Sequence, residues 1–226
     1  MVTACAVIAA YNEEDHIAEV VVGTARHASP VIVVDDGSTD ATAARAASGG
    51  AIVIRHDRNL GKGAAIRTGL AHATDQPCSH VLFLDADMQH DPAEIPKLLA
   101  AAARGRGDFV IAEREFARQA MPPARYYSNV IGSRILSWFI GSAVADTQCG
   151  FRLIRRDLLR RVTLTGRGYE IETEMLIKLA RTGAQIERVK VARLEYQGVR
   201  SHIRPFRDTF RTCMLAVRYR YLTGRS

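Results

Sequence analysis

The strongest constraint on this chain is a rhythm. Five short apolar runs recur through its first half: residues 2–10 (VTACAVIAA), 31–34 (VIVV), 51–54 (AIVI), 80–84 (HVLFL) and 108–112 (DFVIA). Between them, apolar residues fall at helical spacing over about 12–27, 40–48, 62–73 and 92–103. Continuously apolar strands alternating with helices are what a parallel sheet covered on both faces requires. The expected fold class is therefore α/β, with a mostly parallel central sheet and helices on both faces. Asn12 is the expected cap of the first helix, with Glu13, Glu14 and Asp15 in its first turn. Thr39 or Asp40 starts the second, and Pro92 sits where the first turn of the fourth tolerates it.

In an open α/β sheet, ligands bind outside the carboxyl ends of the strands. Three polar clusters fall there: Asn12–Glu14, Asp35–Asp36 and Asp85–Asp87. One such cluster is ordinary surface decoration, but three on one sheet edge point to a site. Asp85-Ala86-Asp87 is the sharpest. Two carboxylates two residues apart, just past a buried strand, can face one hard cation, Mg²⁺ or Mn²⁺, whose remaining positions go to phosphate oxygens. A turn cap explains one of these aspartates, not both. Gln89, His90 and Asp91 extend the cluster, and His90 reads most simply as a structural histidine. Asp35 and Asp36 are better placed to accept hydrogen bonds from a base or ribose. Gly37 permits a left-handed turn behind them, and Ser38–Asp40 suit a helix cap.

Lys62, between Gly61 and Gly63 at a helix start, can meet a diphosphate with help from the helix amides; it reads equally well as a loop lysine. There is no GxxxxGK[ST] loop and no GxGxxG after the first run, which disfavours an ATPase and a dinucleotide-dependent dehydrogenase.

After Glu113 the rhythm breaks. Residues 115–128 are polar and proline-marked. Residues 129–144 read as a helix with a wide apolar face, and 146–152 interrupt it. A helix follows around 168–182, then a strand over 185–196, and a cationic amphipathic helix over about 205–223. Charge divides the same way. Residues 1–112 carry 9 Lys/Arg and 14 Asp/Glu, whereas residues 113–226 carry 22 and 10. No Pro/Gly/Ser linker marks a boundary, so one domain over 1–226 with two chemically different halves is expected. A basic half suits an anionic membrane, a phosphorylated substrate or nucleic acid. A nucleic-acid binder leaves the acidic strand ends unexplained, because they repel phosphates, so no nucleic-acid partner is expected.

Together these segments resemble the family 2 glycosyltransferases of the GT-A fold, in particular the polyprenyl-phosphate sugar synthases such as dolichol-phosphate mannose synthase. The likeness rests on Ala10–Glu14, Val33–Asp40, Asn59–Gly63 with Gly69, Leu84–Pro92, Gln148–Arg152, and Gly168–Glu170 with Glu172–Glu174. It covers about residues 3–210. It implies a UDP- or GDP-linked sugar donor, held in the 1–112 half by Tyr11, Glu13, Asp35, Asp36, Lys62, Asp85 and Ala86. It implies a divalent ion on Asp85 and Asp87, and a lipid monophosphate acceptor in the 113–226 half. The acceptor oxygen attacks the anomeric carbon directly, with inversion, and an ionised phosphate requires no strong general base. Asp87, Gln148 and Arg152 are the implied catalytic-site residues, with Arg152 or Arg134, or else Arg125 or Arg204, as hands for the acceptor phosphate.

Two alternatives stay open. A family 2 enzyme acting on a saccharide or glycolipid hydroxyl needs a carboxylate base, for which Asp146, Glu172 or Glu174 are candidates. A sugar nucleotidyltransferase is disfavoured by the acidic AAYNEE segment at residues 9–14. The four cysteines are scattered without metal-ligand spacing and read as reduced thiols. No apolar run reaches membrane-spanning length and no leader pattern opens the chain. The expected location is cytoplasmic, peripheral on an anionic membrane through Trp138, Phe139 and Ile140 and through Arg207, Arg211, Arg218 and Arg220. The same apolar faces could instead form a homo-oligomer seam.

Overall fold

The computed structural model describes residues 2–105, 107–114, 133–134, 137–138 and 149–192. All five expected strands are present: β1 (Ala4–Ala10), β2 (Val31–Asp35), β3 (Ile52–Arg55), β4 (His80–Asp85) and β5 (Phe109–Arg114). Between them run α1 (Ile17–Ala25), α2 (Thr42–Ser48), α3 (Lys62–Ala73) and α4 (Ile95–Ala103), the last preceded by a 3₁₀ turn over Pro92–Glu94. Then come β6 (Arg152–Arg155), the short α5 (Arg156–Leu159), α6 (Glu170–Arg181) and β7 (Ile186–Val191).

The sheet has seven strands in the order β3-β2-β1-β4-β6-β5-β7. Every pairing is parallel except those of β6, which runs antiparallel to both β4 and β5. The periodicity of Arg152–Arg155 gave no sign of a strand, because a four-residue strand is too short to show one.

Side chains alternate across the sheet as strand geometry demands. Ala6, Ile8, Val33, Leu82, Leu84, Val110 and Leu153 face α1, α2 and α4, where Ile17, Val20, Val21, Ala46, Ile95 and Leu98 cover them. Cys5, Val7, Ile32, Val34, Val81, Phe83 and Ile111 face α3, α5 and α6. Burial on both faces explains the continuously apolar runs. β3 departs from that expectation: it is an edge strand, and its Ile52 is half exposed.

Because β1 pairs with β2 on one side and β4 on the other, the chain's winding reverses beside β1. Register places Asp35 next to Ala10 and Asp85 next to Ala9. The acidic strand ends thus meet at the topological switch point, where such sheets open a crevice.

One cap expectation is corrected. α1 begins at Ile17, not beside Asn12. Asn12 is left-handed, with φ 54°, a conformation its short polar side chain tolerates. Its Oδ1 accepts from the Thr39 amide at 2.9 Å, while its own amide donates to Ser38 Oγ at 2.9 Å. It staples two loops and caps no helix. Asp91 does cap its turn, accepting from the Ala93 amide.

Of the expected helix over 129–144, only Ser133, Arg134, Ser137 and Trp138 are described, and they are helical. The expected helix over 205–223 lies outside the described residues.

Candidate active site

The crevice floor is built by two zipped loops. The Glu13 amide donates to Thr42 Oγ1 at 2.8 Å, the Glu14 amide to Asp40 Oδ2 at 3.2 Å, and the Ala41 amide to Glu14 Oε2 at 3.2 Å. These bonds fix the segment after β1 against the segment after β2. Tyr11 projects from it, exposed.

Asp35 is fully buried. Its Oδ1 accepts from the Ser38 amide at 3.0 Å. Its Oδ2 lies 3.2 Å from Arg55 Nε but accepts no hydrogen bond. The Arg55 guanidinium thus balances the charge of a buried carboxylate oxygen that accepts no hydrogen bond.

Asp36 is different, and the expectation for it is corrected. Its Oδ1 accepts from His56 Nδ1 at 2.7 Å and from the Leu60 amide at 2.9 Å; its Oδ2 accepts from the Gly61 amide at 2.7 Å. His56 Nε2 in turn meets Thr68 Oγ1 at 3.0 Å. Asp36 spends its acceptor capacity on the 57–61 loop and holds Gly61 (φ 96°) in place ahead of Lys62.

Lys62 does not lie at a vacant helix N-terminus. The first-turn amides of α3 are taken: Gly63 donates to Arg167 O at 2.9 Å, and Ala64 and Ala65 donate to Gly61 O. A Cβ on Gly63 would stand 2.5 Å from Gly166 O, so only glycine lets the 166–168 segment close over α3. The expectation that helix amides help bind a diphosphate is therefore corrected. The lysine side chain instead points into the crevice. Its Nζ donates to Asp85 Oδ1 at 2.5 Å and to Glu172 Oε1 at 2.6 Å, with the Tyr169 ring centroid 5.4 Å away. Burial disfavours its charge, but the two carboxylates outweigh burial and hold the ammonium pKa above its usual value.

Past Asp85, Ala86 is buried and Asp87 turns back on its own loop, accepting from the Gln89 amide at 3.1 Å and from Gln89 Nε2 at 2.6 Å. His90 is buried behind Asp85, its ring 5.3 Å from that of Phe151 and its Nε2 3.8 Å from Asp85 Oδ2. Gly150 sits against Asp85: a Cβ there would come within 2.8 Å of Oδ2 and 2.9 Å of Oδ1.

The carboxylates repel one another. Burial, then the charges of Asp87 and Asp85, push Glu13 up to about 7. Burial and Asp85 push Asp87 up as well. Groups held from ionising by neighbouring carboxylates define a place where added positive charge is stabilising. A divalent cation fits this donor set. Among the described residues no group of three or more His, Cys, Asp or Glu forms a closed metal cage. Asp85 and Asp87 would make an open pair, the kind Mg²⁺ occupies with few protein ligands and several phosphate or water oxygens.

Arg152 is placed otherwise than expected. It is 1 % exposed, its Nε donating to Cys149 O at 2.7 Å and a terminal nitrogen to Glu172 O at 2.5 Å. It buttresses Glu172 from within and turns these donors to backbone carbonyls, so the expectation of a phosphate hand is corrected. Gln148 and Asp146 lie outside the described residues. Glu174 is also buried. Its carboxylate accepts from the amides of Thr165 and Gly166 and from Lys178 Nζ at 2.7 Å, which removes it as a candidate base.

The periodicity gave no warning of the 166–168 clamp or of Gly150. Their signal was the cluster of glycines at 150, 166 and 168, whose tight contacts exist only once β6 and α6 are docked.

A model of the family described as glycosyl transferase family 2 matches residues 5–163. An uncharacterized protein of Methanocaldococcus jannaschii is 34% identical over 194 residues, covering 80% of this chain and 83% of its own. An undecaprenyl-phosphate mannosyltransferase of Micrococcus luteus is 30% identical over 203 residues, covering 84% and 82%. Among solved structures, glucosyl-3-phosphoglycerate synthase from Mycobacterium tuberculosis, in complex with Mg²⁺ and uridine diphosphate, superposes with a TM-score of 0.75 at 24% identity, covering 99% of this chain and 81% of that one.

Proposed function

The chain belongs to glycosyl transferase family 2, with the GT-A fold, and on that premise we propose that it transfers a sugar from a nucleoside diphosphate donor to a polyprenyl monophosphate. The observation that carries the reading is the crevice at the switch point. There Asp85 and Asp87, with Glu13 across from them, form a carboxylate cluster that favours a divalent ion. The printed name of the Micrococcus luteus relative supports the acceptor class.

In this reading the donor lies in the 1–112 half. Its base and ribose sit along Tyr11 and Asp35. Asp85 and Asp87 would hold Mg²⁺ or Mn²⁺, which would supply positive charge to the departing diphosphate. Lys62 adds a second cation within reach of the same oxygens. An acceptor phosphate oxygen forms the new bond to the anomeric carbon as the bond to the diphosphate breaks, which inverts the centre. That oxygen is ionised at neutral pH, so no side chain has to remove a proton. Glu172, held by Arg152 and paired with Lys62, lines the sugar's side of the crevice.

A lipid acceptor brings the protein to a bilayer surface. No helix among the described residues is long and apolar enough to cross a membrane. Trp138, 72 % exposed, and the arginines of the 205–223 segment are the interfacial contacts in this reading, each charge adding about 1 kcal/mol near anionic lipid.

A transfer assay tests the proposal. Purified protein with Mg²⁺ or Mn²⁺ is given a panel of UDP- and GDP-sugars and a short-chain polyprenyl phosphate, with the unphosphorylated polyprenol and 3-phosphoglycerate as parallel acceptors. Transfer to the lipid phosphate alone, lost in Asp87→Ala, is the expected result. Transfer to the alcohol or to the soluble phosphate, with none to the lipid phosphate, overturns it.

A further inference from the structure

A second pair of reactive side chains lies at the other end of the sheet from the carboxylates. Cys5 is the second residue of β1, and Cys78 sits in the turn that leads into β4. Both are buried, and their sulfurs are 2.9 Å apart, joined by an S–H···S hydrogen bond. A disulfide needs about 2.05 Å between sulfurs, so about 1 Å of side-chain motion closes the gap.

The backbone next to the two cysteines is tied together. The Thr3 amide donates to Ser79 Oγ at 2.9 Å, the His80 amide donates to Thr3 O at 3.0 Å, and Ala4 pairs with His80 across the parallel ladder. The local electrostatics oppose the effect of burial. The hydrogen bond shared with Cys5 lowers the Cys78 thiol, burial raises it, and Arg156 adds positive charge nearby. A thiolate is the nucleophile in such chemistry.

We infer that Cys5 and Cys78 form a peroxide-reactive thiol pair that closes to an intrachain disulfide. The Cys78 thiolate attacks one peroxide oxygen and breaks the O–O bond, giving a sulfenic acid and, after protonation, water. Cys5 sulfur then attacks the Cys78 sulfur; its S–H proton leaves with the displaced hydroxyl as a second water. Two thiols and one peroxide thus yield one disulfide and two waters, the peroxide being reduced and the two sulfurs oxidised. The bond ties the first strand to the entry of the fourth, 73 residues apart. It lies at the amino ends of strands whose carboxyl ends form the active site.

The full chain, first reduced, is treated with a small excess of hydrogen peroxide, then denatured and alkylated. Intact mass and peptide mapping follow. The expected result is a species lighter by two hydrogens, with one cross-linked peptide joining Cys5 to Cys78. A thiol reductant reverses it, and Cys78→Ala does not form it. Both cysteines remaining alkylatable, either one carrying stable oxygen adducts, or linkage to Cys149 or Cys213 in their place would overturn the inference.

Discussion

Lys62 Nζ lies 2.5 Å from Asp85 Oδ1, so the aspartate best placed to ligate a divalent ion is already paired with a cation of the protein's own. Glu172, 2.6 Å away on the other side, gives the ammonium a second carboxylate to rest on when Asp85 turns to the metal. On the proposed metal and donor assignment, lysine and metal compete at one oxygen in the absence of donor and cooperate on the diphosphate in its presence.

Lys62→Met separates those two roles. Removing the competing charge is expected to tighten Mn²⁺ binding without donor, by roughly tenfold, or about 1.4 kcal/mol. Transfer should nonetheless fall by about a hundredfold, about 2.7 kcal/mol of lost transition-state stabilisation. Calorimetric titration of Mn²⁺ reads the first effect and steady-state kinetics the second. Weaker Mn²⁺ binding in the variant would show that lysine and metal do not compete.

Glu13 makes the fold pH-sensitive. Its folded value of about 7 exceeds the ordinary 4.5, so the folded form binds the extra proton. The stability this contributes is complete below pH 4.5 and is lost as pH rises through 7. Glu13→Gln mimics the protonated form. Its unfolding free energy should match wild type near pH 4.5 and exceed it at pH 8, by about 1 kcal/mol once solvent screening of this half-exposed group is allowed for, read from thermal unfolding at the two pH values. Saturating Mg²⁺ should narrow the gap at pH 8.

Glu174 shows the opposite sign. Burial alone would raise its carboxyl, but Lys178 Nζ and the amides of Gly166 and Thr165 outweigh burial and hold it at about 2. Its stabilisation is complete above 4.5 and disappears as pH falls toward 2. Glu174→Gln is expected to lose about 2 kcal/mol at pH 7, measured by urea unfolding, and to converge on wild type at the acid end. Equal midpoints at pH 7 would refute the role of this carboxylate in holding the 165–168 segment.

Gly150→Ala tests the metal pair by crowding it. The new methyl stands 2.8 Å from an Asp85 oxygen, and a carboxylate at the end of a side chain can swing away. Stability should change by about 1 kcal/mol or less, while Mn²⁺ affinity drops about tenfold or more, as when the support of a ligand is disturbed. An unchanged Mn²⁺ affinity would remove Asp85 from the ligand set.

Much of this was legible in the residues alone. All five apolar runs became strands; burial on both faces demands an apolar run of β1, β2, β4 and β5, though not of the edge strand β3, and such a run needs no partner to be recognised. The acidic clusters fell at the carboxyl ends because the direction of a parallel strand is the direction of the chain. The placement of Asp35, Asp85 and Asp87 around one crevice followed from those two facts.

Which carboxylate serves which purpose was a different matter. Asp35 and Asp36 are adjacent and chemically alike, yet Asp35, the last residue of β2, is buried against Arg55 and Ser38, while Asp36, just past the strand end, holds the 57–61 loop. Arg152 looked like a phosphate ligand until β6, running antiparallel, carried it into the core beneath Glu172. Lys62 looked like part of a helix-terminus anion site until the 166–168 segment, about a hundred residues later, took the Gly63 amide and Gly61 O took the next two. Composition and spacing carry local periodicity and strand direction. Which donors remain unpaired depends on contacts between segments far apart in the chain, and those exist only after packing.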